Sequence, residues 1–470
     1  MKDIKINYKL IPITLFLVIL SFFTIFFIFR GDLRNYILFF LIITLSINFF
    51  FGEKIIFALL IVAPFLGFLR RLMYLFGPYV RLDIFNILSD IFVLMFFLFI
   101  ILVKRKELLK NLKESLIVKL FSFLFLIMIL QIFNPLQGSI IVGLGGAKFW
   151  IIPMLWFYFA LLIDTEKKFQ NILIIIMIIG VISSIYGIKQ AFWGFTKFEL
   201  IWIRSKMEIE KFGSIAVLSF IRPISIFPSP QEYANYLLIA FLIASGLFLK
   251  KIRLSVYFFT MILIFFAAIT EGIRGIILMI FLGFLFQCFI YVKDKKLAFF
   301  IAFFFILMYI LFISTISITS IYHVLPVNIS RMYYHVLKGI FDPFARESTI
   351  WERIMEFGHI PLISIKYPLG LGLGTTSLAG WKFGGNIIGF EVPFFSFIAT
   401  SSIIGGIIYF IIIVLSLKEC YKNYNKTGSP LYVISFSIIL TYFIVGGLTL
   451  YSTTPIYWFT LGLAVEKNLN

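Results

Sequence analysis

Three segments of this chain carry arginines whose spacing suits the grip of a phosphate-bearing ligand. The first runs from Arg222-Pro223 through Pro228-Ser229-Pro230 to Glu232 and Asn235, at the entry to an apolar stretch. Its prolines dictate an extended approach without regular helix, and Ser229 suits an N-cap. Arg222 then stands near the mouth of a helix, where backbone amides also favour an anion. The second, Thr270-Glu271-Gly272-Ile273-Arg274-Gly275, joins two apolar runs by almost nothing. Thr270 is expected to cap the following helix with Glu271 in its first turn, which leaves Arg274 opposed to the helix dipole and in need of an anion. Glu271 can supply that charge internally, or a bound phosphate can supply it. The third runs from Arg346 through Trp351 to Arg353 and Glu356, with the two arginines seven residues apart on one helical face. Ile350, Ile354 and Phe357 line another face, so a plain amphipathic helix accounts for the pattern equally well.

Other residues are suspects of a different kind. Glu391 directly precedes Val392-Pro393 and an apolar run, a carboxylate at the rim of an apolar region and hence a candidate base or a partner for an arginine. Asp83 and Asp90 raise the same suspicion more weakly. Pro368-Leu-Gly370-Leu-Gly372-Leu-Gly374-Thr375-Thr376-Ser377 has the look of a phosphate-cradling loop but lacks its Gly-Lys-Ser/Thr end, so a tight turn against a neighbouring helix or a ligand fits it better. His323, His335 and His359 have no metal-ligand spacing, and neither Cys288 nor Cys420 suggests a disulfide, so no metal or cofactor is expected.

The elements that must position these residues follow from composition. Of 470 residues, 61% are hydrophobic and 13% charged, which excludes a water-soluble domain, and the apolar runs are of membrane-spanning length. The runs are Leu10–Phe29, Tyr36–Phe51, Ile55–Leu69, Ile84–Val103, Leu116–Phe133, Phe149–Ile163, Ile172–Gly187, Tyr233–Leu249, Leu254–Ile269, Gly275–Val292, Leu297–Ile318, Phe394–Leu417, Leu431–Leu448 and Tyr451–Val465. They predict an all-α bundle of about 14 spans, one integral membrane domain over residues 1–470. The formal charge of +19 does not point to nucleic acid, because most lysines sit in short clusters between apolar runs. Alternate connections carry those clusters, so the positive-inside rule places both termini in the cytoplasm. Eleven of the thirteen arginines then fall on the outer side. A guanidinium grips phosphate bidentately where an ammonium cannot, so that face is expected to meet an anion, with lipid phosphate or pyrophosphate first in line. Two long connections, 188–232 and 319–393, also face outward, and their amphipathic, aromatic stretches suggest interfacial helices.

The ordered set of Arg-Pro at 222–223, Thr270-x-x-x-Arg274-Gly275, Arg346…Trp351…Arg353, the glycine loop at 368–374 and Gly405-Gly406 in the next run resembles the O-antigen polymerase and O-antigen ligase superfamily of membrane glycosyltransferases. The resemblance covers roughly residues 222–410 and implies a GT-C-type helical fold. It further implies that Arg222, Arg274 and Arg353 bind the pyrophosphate of a polyprenyl-linked glycan, with Arg346, Arg331, Arg71 and Glu271 as further substrate contacts and Glu391 with Arg274 in catalysis. A ligase of this superfamily usually carries a histidine soon after the glycine loop. This chain has none after His359, which favours a polymerase over a ligase. A lipid-linked oligosaccharide flippase is the alternative outside the class, but it would place charges deep in its helices with matched halves. The expected partners are the lipid-linked glycan, membrane lipid and a chain-length-regulating co-polymerase, and the expected place is the cytoplasmic membrane.

Overall fold

The computed structural model describes residues 47, 51–73, 83–210, 216–217, 220–250, 254–291, 349–390 and 392–465. These residues form helices α1 (Lys54–Met73), α2 (Asp83–Val103), α3 (Arg105–Glu114), α4 (Leu116–Leu130), α5 (Ile140–Ala160), α6 (Glu166–Trp193) and α7 (Lys197–Glu210). A small antiparallel pairing of β1 (Ala216–Val217) with β2 (Phe220–Ile221) precedes α8 (Pro230–Leu249), α9 (Leu254–Glu271) and α10 (Arg274–Tyr291). The remaining helices are α11 (Thr349–Lys366), α12 (Leu378–Lys382), α13 (Pro393–Ser401), α14 (Ile403–Thr427), α15 (Pro430–Val445) and α16 (Thr454–Leu463). The protein is an all-helical, multi-pass membrane protein: among the described residues, eight helices are long and apolar enough to cross a membrane, and two shorter apolar helices accompany them.

Local chemistry sets the boundaries. Ser115, Ser139, Thr165 and Ser229 each stand in extended conformation at a helix start, where their hydroxyls accept the amides of Val118, Val142, Lys168 and Glu232. Ser229 with Pro230 therefore caps α8 as its sequence predicts. Two runs are longer than apolar content indicates. α5 begins at Ile140 rather than Phe149, because Ser139 starts it and Lys148 lies inside it; α6 reaches from Glu166 to Trp193 and takes up the first residues of the expected 188–232 loop. The run expected as Phe394–Leu417 is two helices, broken where Ser402 takes φ +96° between α13 and α14. The first two apolar runs, most of Leu297–Ile318 and Asp83's side chain lie outside what is described.

α8 is the axis of the fold. It is buried along nearly its whole length and packs against α6, α9, α10 and α15. The helix ends sort into two layers. One end gathers Glu53 with Lys104 and Lys168, and Glu166 with Ser429. The other gathers the ends of α1, α5, α8 and α15 together with Arg71, Lys148, Glu232, Glu271 and Arg274. Long and short spans meet at this second end. α15 has 16 residues and α16 has 10, so they rise about 24 Å and 15 Å, less than a hydrocarbon core of about 30 Å. Gly462 of α16 packs on Phe157 and Ala160 of α5, which sets Thr454 about 12 Å higher, level with the middle of α5. The irregular segment 446–453 is thus held below the outer ends of its neighbours and is largely buried in protein, the condition under which non-helical backbone is tolerated at membrane depth.

Candidate functional site

The short connection between α9 and α10 turns at Gly272, whose φ of +84° is open to glycine at little cost. Thr270 does not cap α10. Its hydroxyl donates back to the Ala267 carbonyl at 2.8 Å and completes the last turn of α9, which Glu271 ends. Glu271 Oε2 instead accepts the Ile273 amide at 3.0 Å. Beyond it α10 starts bare: among the described residues nothing accepts from the amides of Arg274 and Gly275. A helix start with free amides carries partial positive charge.

Three guanidinium groups converge on that start. Arg274 belongs to its first turn. Arg353, from α11, brings Nη2 to 4.0 Å from where a Cβ on Gly275 would stand. Arg222 acts electrostatically on both Arg274 and Glu271. All three are half-buried. Among the described residues neither Arg274 nor Arg353 has an ion-pair partner. Glu356, one turn along α11 from Arg353, is committed to the Val392 amide at 2.9 Å. Mutual repulsion of these cations and the bare helix start make the turn a site for an anion, and Glu271 is the single described carboxylate acting on it.

The segment carrying Arg222 is fixed from below. Arg71, 0% exposed, donates from Nη1 to the Phe227 carbonyl at 3.1 Å and from Nη2 to the Ser225 carbonyl, with its guanidinium over the rings of Phe68 and Trp202. Gln190 Oε1 accepts the amides of Ile224 and Ser225 at 3.0 and 2.7 Å, and the Ser225 hydroxyl donates to the Ser183 carbonyl at 2.6 Å. Arg71 is therefore corrected from a substrate contact to a clamp: both ends of its fork are taken by backbone carbonyls, and its work is to hold the loop that presents Arg222.

The glycine loop is also structural. Gln131 donates to the Leu369 carbonyl at 2.7 Å, Asn134 to the Gly370 carbonyl at 2.9 Å, and Gln137 accepts the Gly374 amide at 3.1 Å. The Leu371 amide is taken by the Ala399 carbonyl at 2.8 Å. With these groups spent on α4, α13 and the turns between α4 and α5, the loop is the close-packed turn its sequence suggests. Glu391, Arg331 and Arg346 lie outside the described residues, so the arrangement of a base relative to the arginines rests on sequence alone.

Sequence reasoning missed a second polar cluster at the same end. Lys148 Nζ pairs with Asp90 Oδ2 at 2.8 Å, while Tyr451, from the re-entrant segment, donates to Asp90 Oδ1 at 3.3 Å and meets Ser89 through its hydroxyl. Glu232 Oε1 accepts the Tyr451 amide at 3.2 Å and Oε2 the Ser452 amide at 2.9 Å, and Arg70 acts on Glu232 and Tyr451 through space. Asp90 drew weak suspicion from its position in an apolar run. The same signal stood at Lys148, the one charged residue within the α5 sequence. Among the described residues no three His, Cys, Asp or Glu side chains come together to hold a metal, and Cys288 and Cys420 are buried free thiols. No protein-family model matches this chain, and no curated protein matches it either.

Proposed function

We propose that the protein is a membrane glycosyltransferase that polymerises polyprenyl-pyrophosphate-linked repeat units into a surface polysaccharide on the outer side of the cytoplasmic membrane. The observation that supports this reading is the gathering of Arg222, Arg274 and Arg353 around the uncapped start of α10. Amides and paired guanidinium forks in a partly buried setting match the oxygens of a diphosphate better than those of a single carboxylate. The bundle is read as GT-C-type, with about 14 spans and both termini cytoplasmic, so that this end faces outward.

In the reaction a sugar hydroxyl of a second lipid-linked unit attacks the anomeric carbon of the donor. The new glycosidic C–O bond forms as the C–O bond to pyrophosphate breaks, and the electron pair leaves with polyprenyl pyrophosphate. The three arginines neutralise the charge growing on that leaving group, the task that Mg²⁺ performs in many soluble glycosyltransferases. Glu391 is the proposed group for taking the hydroxyl proton or orienting the acceptor. Arg331 and Arg346 are proposed contacts to the same substrate, and a chain-length-regulating co-polymerase is the proposed protein partner.

The test is the purified protein in lipid nanodiscs given lipid-linked repeat units. A ladder of longer glycans supports a polymerase. Transfer of the glycan to a lipid A core without elongation means a ligase, and movement across a bilayer without any new bond means a transporter; either overturns the proposal.

A further inference from the structure

The carboxylate inside the arginine cluster is in an unusual position. Glu271 is 1% exposed, and while Oε2 accepts the Ile273 amide, Oε1 is buried without a hydrogen-bond partner. The groups that face it can be named element by element. Arg222 acts on it from the segment before α8, and Tyr233 of α8, whose own hydroxyl is buried without a partner, is coupled to it electrostatically. Arg274 of α10 stands three residues on across the Gly272 turn, with Arg353 of α11 beside Gly275. From α6, the other helix packed on α9, no described titratable group acts on it.

A buried carboxylate keeps its charge when a cation lies against it, and otherwise the charge is costly enough that a proton replaces it. For Glu271 that cation is Arg222. A diphosphate at the start of α10 draws on the same guanidinium, so two anions compete for one cation. Building on the diphosphate reading above, we infer that Glu271 is an internal counter-anion, displaced from Arg222 when the diphosphate binds. It takes up one proton from water as it loses its partner, and returns that proton when polyprenyl pyrophosphate leaves and Arg222 swings back. Glu271 is thus a positioning residue that keeps the spent carrier from holding three arginines indefinitely. Linkage makes the effect reciprocal: ligand binding favours protonation, and protonation favours ligand binding.

The experiment uses farnesyl pyrophosphate as the probe, titrated calorimetrically into the full-length protein in nanodiscs in two buffers of different protonation enthalpy. The wild type is expected to take up about one proton more per ligand than Glu271→Gln. Glu271→Gln, having lost the competing anion, is expected to bind about 10-fold tighter and to turn over more slowly, lowering KM and kcat together. Glu271→Asp keeps a titrating group and should keep the proton uptake. Equal uptake by wild type and Glu271→Gln overturns the inference. Should Glu271→Gln not fold, difference infrared spectroscopy of the wild type decides, because ligand binding must then raise a protonated-carboxyl band and a missing band overturns the inference. If farnesyl pyrophosphate does not bind, or binds independently of Arg274, the diphosphate reading falls and this role with it. Arg274-dependent binding without excess proton uptake removes the role of Glu271 alone.

Discussion

Replacing Arg274 separates binding chemistry from architecture more cleanly than any other change. Its side chain is half-buried, has no ion-pair partner among the described residues, and lies in the first turn of α10 where a cation opposes the helix dipole. Arg274→Ala therefore removes no internal bond. It relieves repulsion from Arg222 and from the helix start, so stability should hold or rise by about 0.3–1 kcal/mol, the usual size of a helix-end charge term. Catalysis should move the other way. Losing one preorganised donor aimed at developing charge typically costs about 2.7–4 kcal/mol, a fall of about 10²–10³ in rate. Arg274→Lys keeps the charge and loses one arm of the fork. The missing charged hydrogen bond is worth about 1.5–3 kcal/mol, which predicts a loss of about 10- to 100-fold. The assay is glycan chain growth by nanodisc-embedded protein, read beside a thermal melt of the same sample. An alanine variant that melts several degrees lower would mean that Arg274 is structural, and one that elongates glycan at the wild-type rate would remove it from the mechanism.

Other consequences follow from the same geometry. Arg71→Ala strips two backbone carbonyls of their donors inside the protein and should cost about 3 kcal/mol of stability, read as a lower melting temperature, with donor affinity falling because the Arg222 segment loosens. Lys148→Met leaves Asp90 without its counter-charge at membrane depth. The pair is partly exposed, so the cost should fall at the low end for a broken buried pair, about 3 kcal/mol, and adding Asp90→Asn should recover much of it in a double-mutant cycle. Gln287 bridges α10 to α8 and α15, bonding the Leu242 carbonyl and the hydroxyls of Ser245 and Ser437 at 2.7–2.8 Å. At about 0.6 kcal/mol for each interhelical bond within a membrane, Gln287→Leu should cost about 1–2 kcal/mol in unfolding assays while leaving the affinity for farnesyl pyrophosphate unchanged.

Much of this was readable from residues in order. Runs of apolar side chains force helices because hydrocarbon offers no partner to a bare peptide group, and the Ser-Pro pair at 229–230 marks where α8 begins. The special character of Arg222, Arg274 and Arg353 showed in their type and in their places at the ends of apolar runs. Other features were not local. Nothing around Arg71 distinguishes it from Arg274, yet one is folded under a loop from 150 residues away and spends its fork there, while the other stays open. Lys148 looked like an interruption in an apolar stretch until Asp90 met it. The break at Ser402 follows from packing as well, since a serine at positive φ is held by its surroundings and not by its own preference.

The amino-acid order by itself determined that this chain lives in a membrane as a helical bundle and that its arginines collect at one end of the spans, because hydrophobicity and charge act wherever a residue stands along the chain. Tertiary structure alone decided which arginines share a site. Convergence of α10, α11 and the Arg222 segment depends on the turn at Gly272 and on the buried clamp of Arg71, and contacts between distant parts of a chain are fixed by packing, which no local spacing encodes.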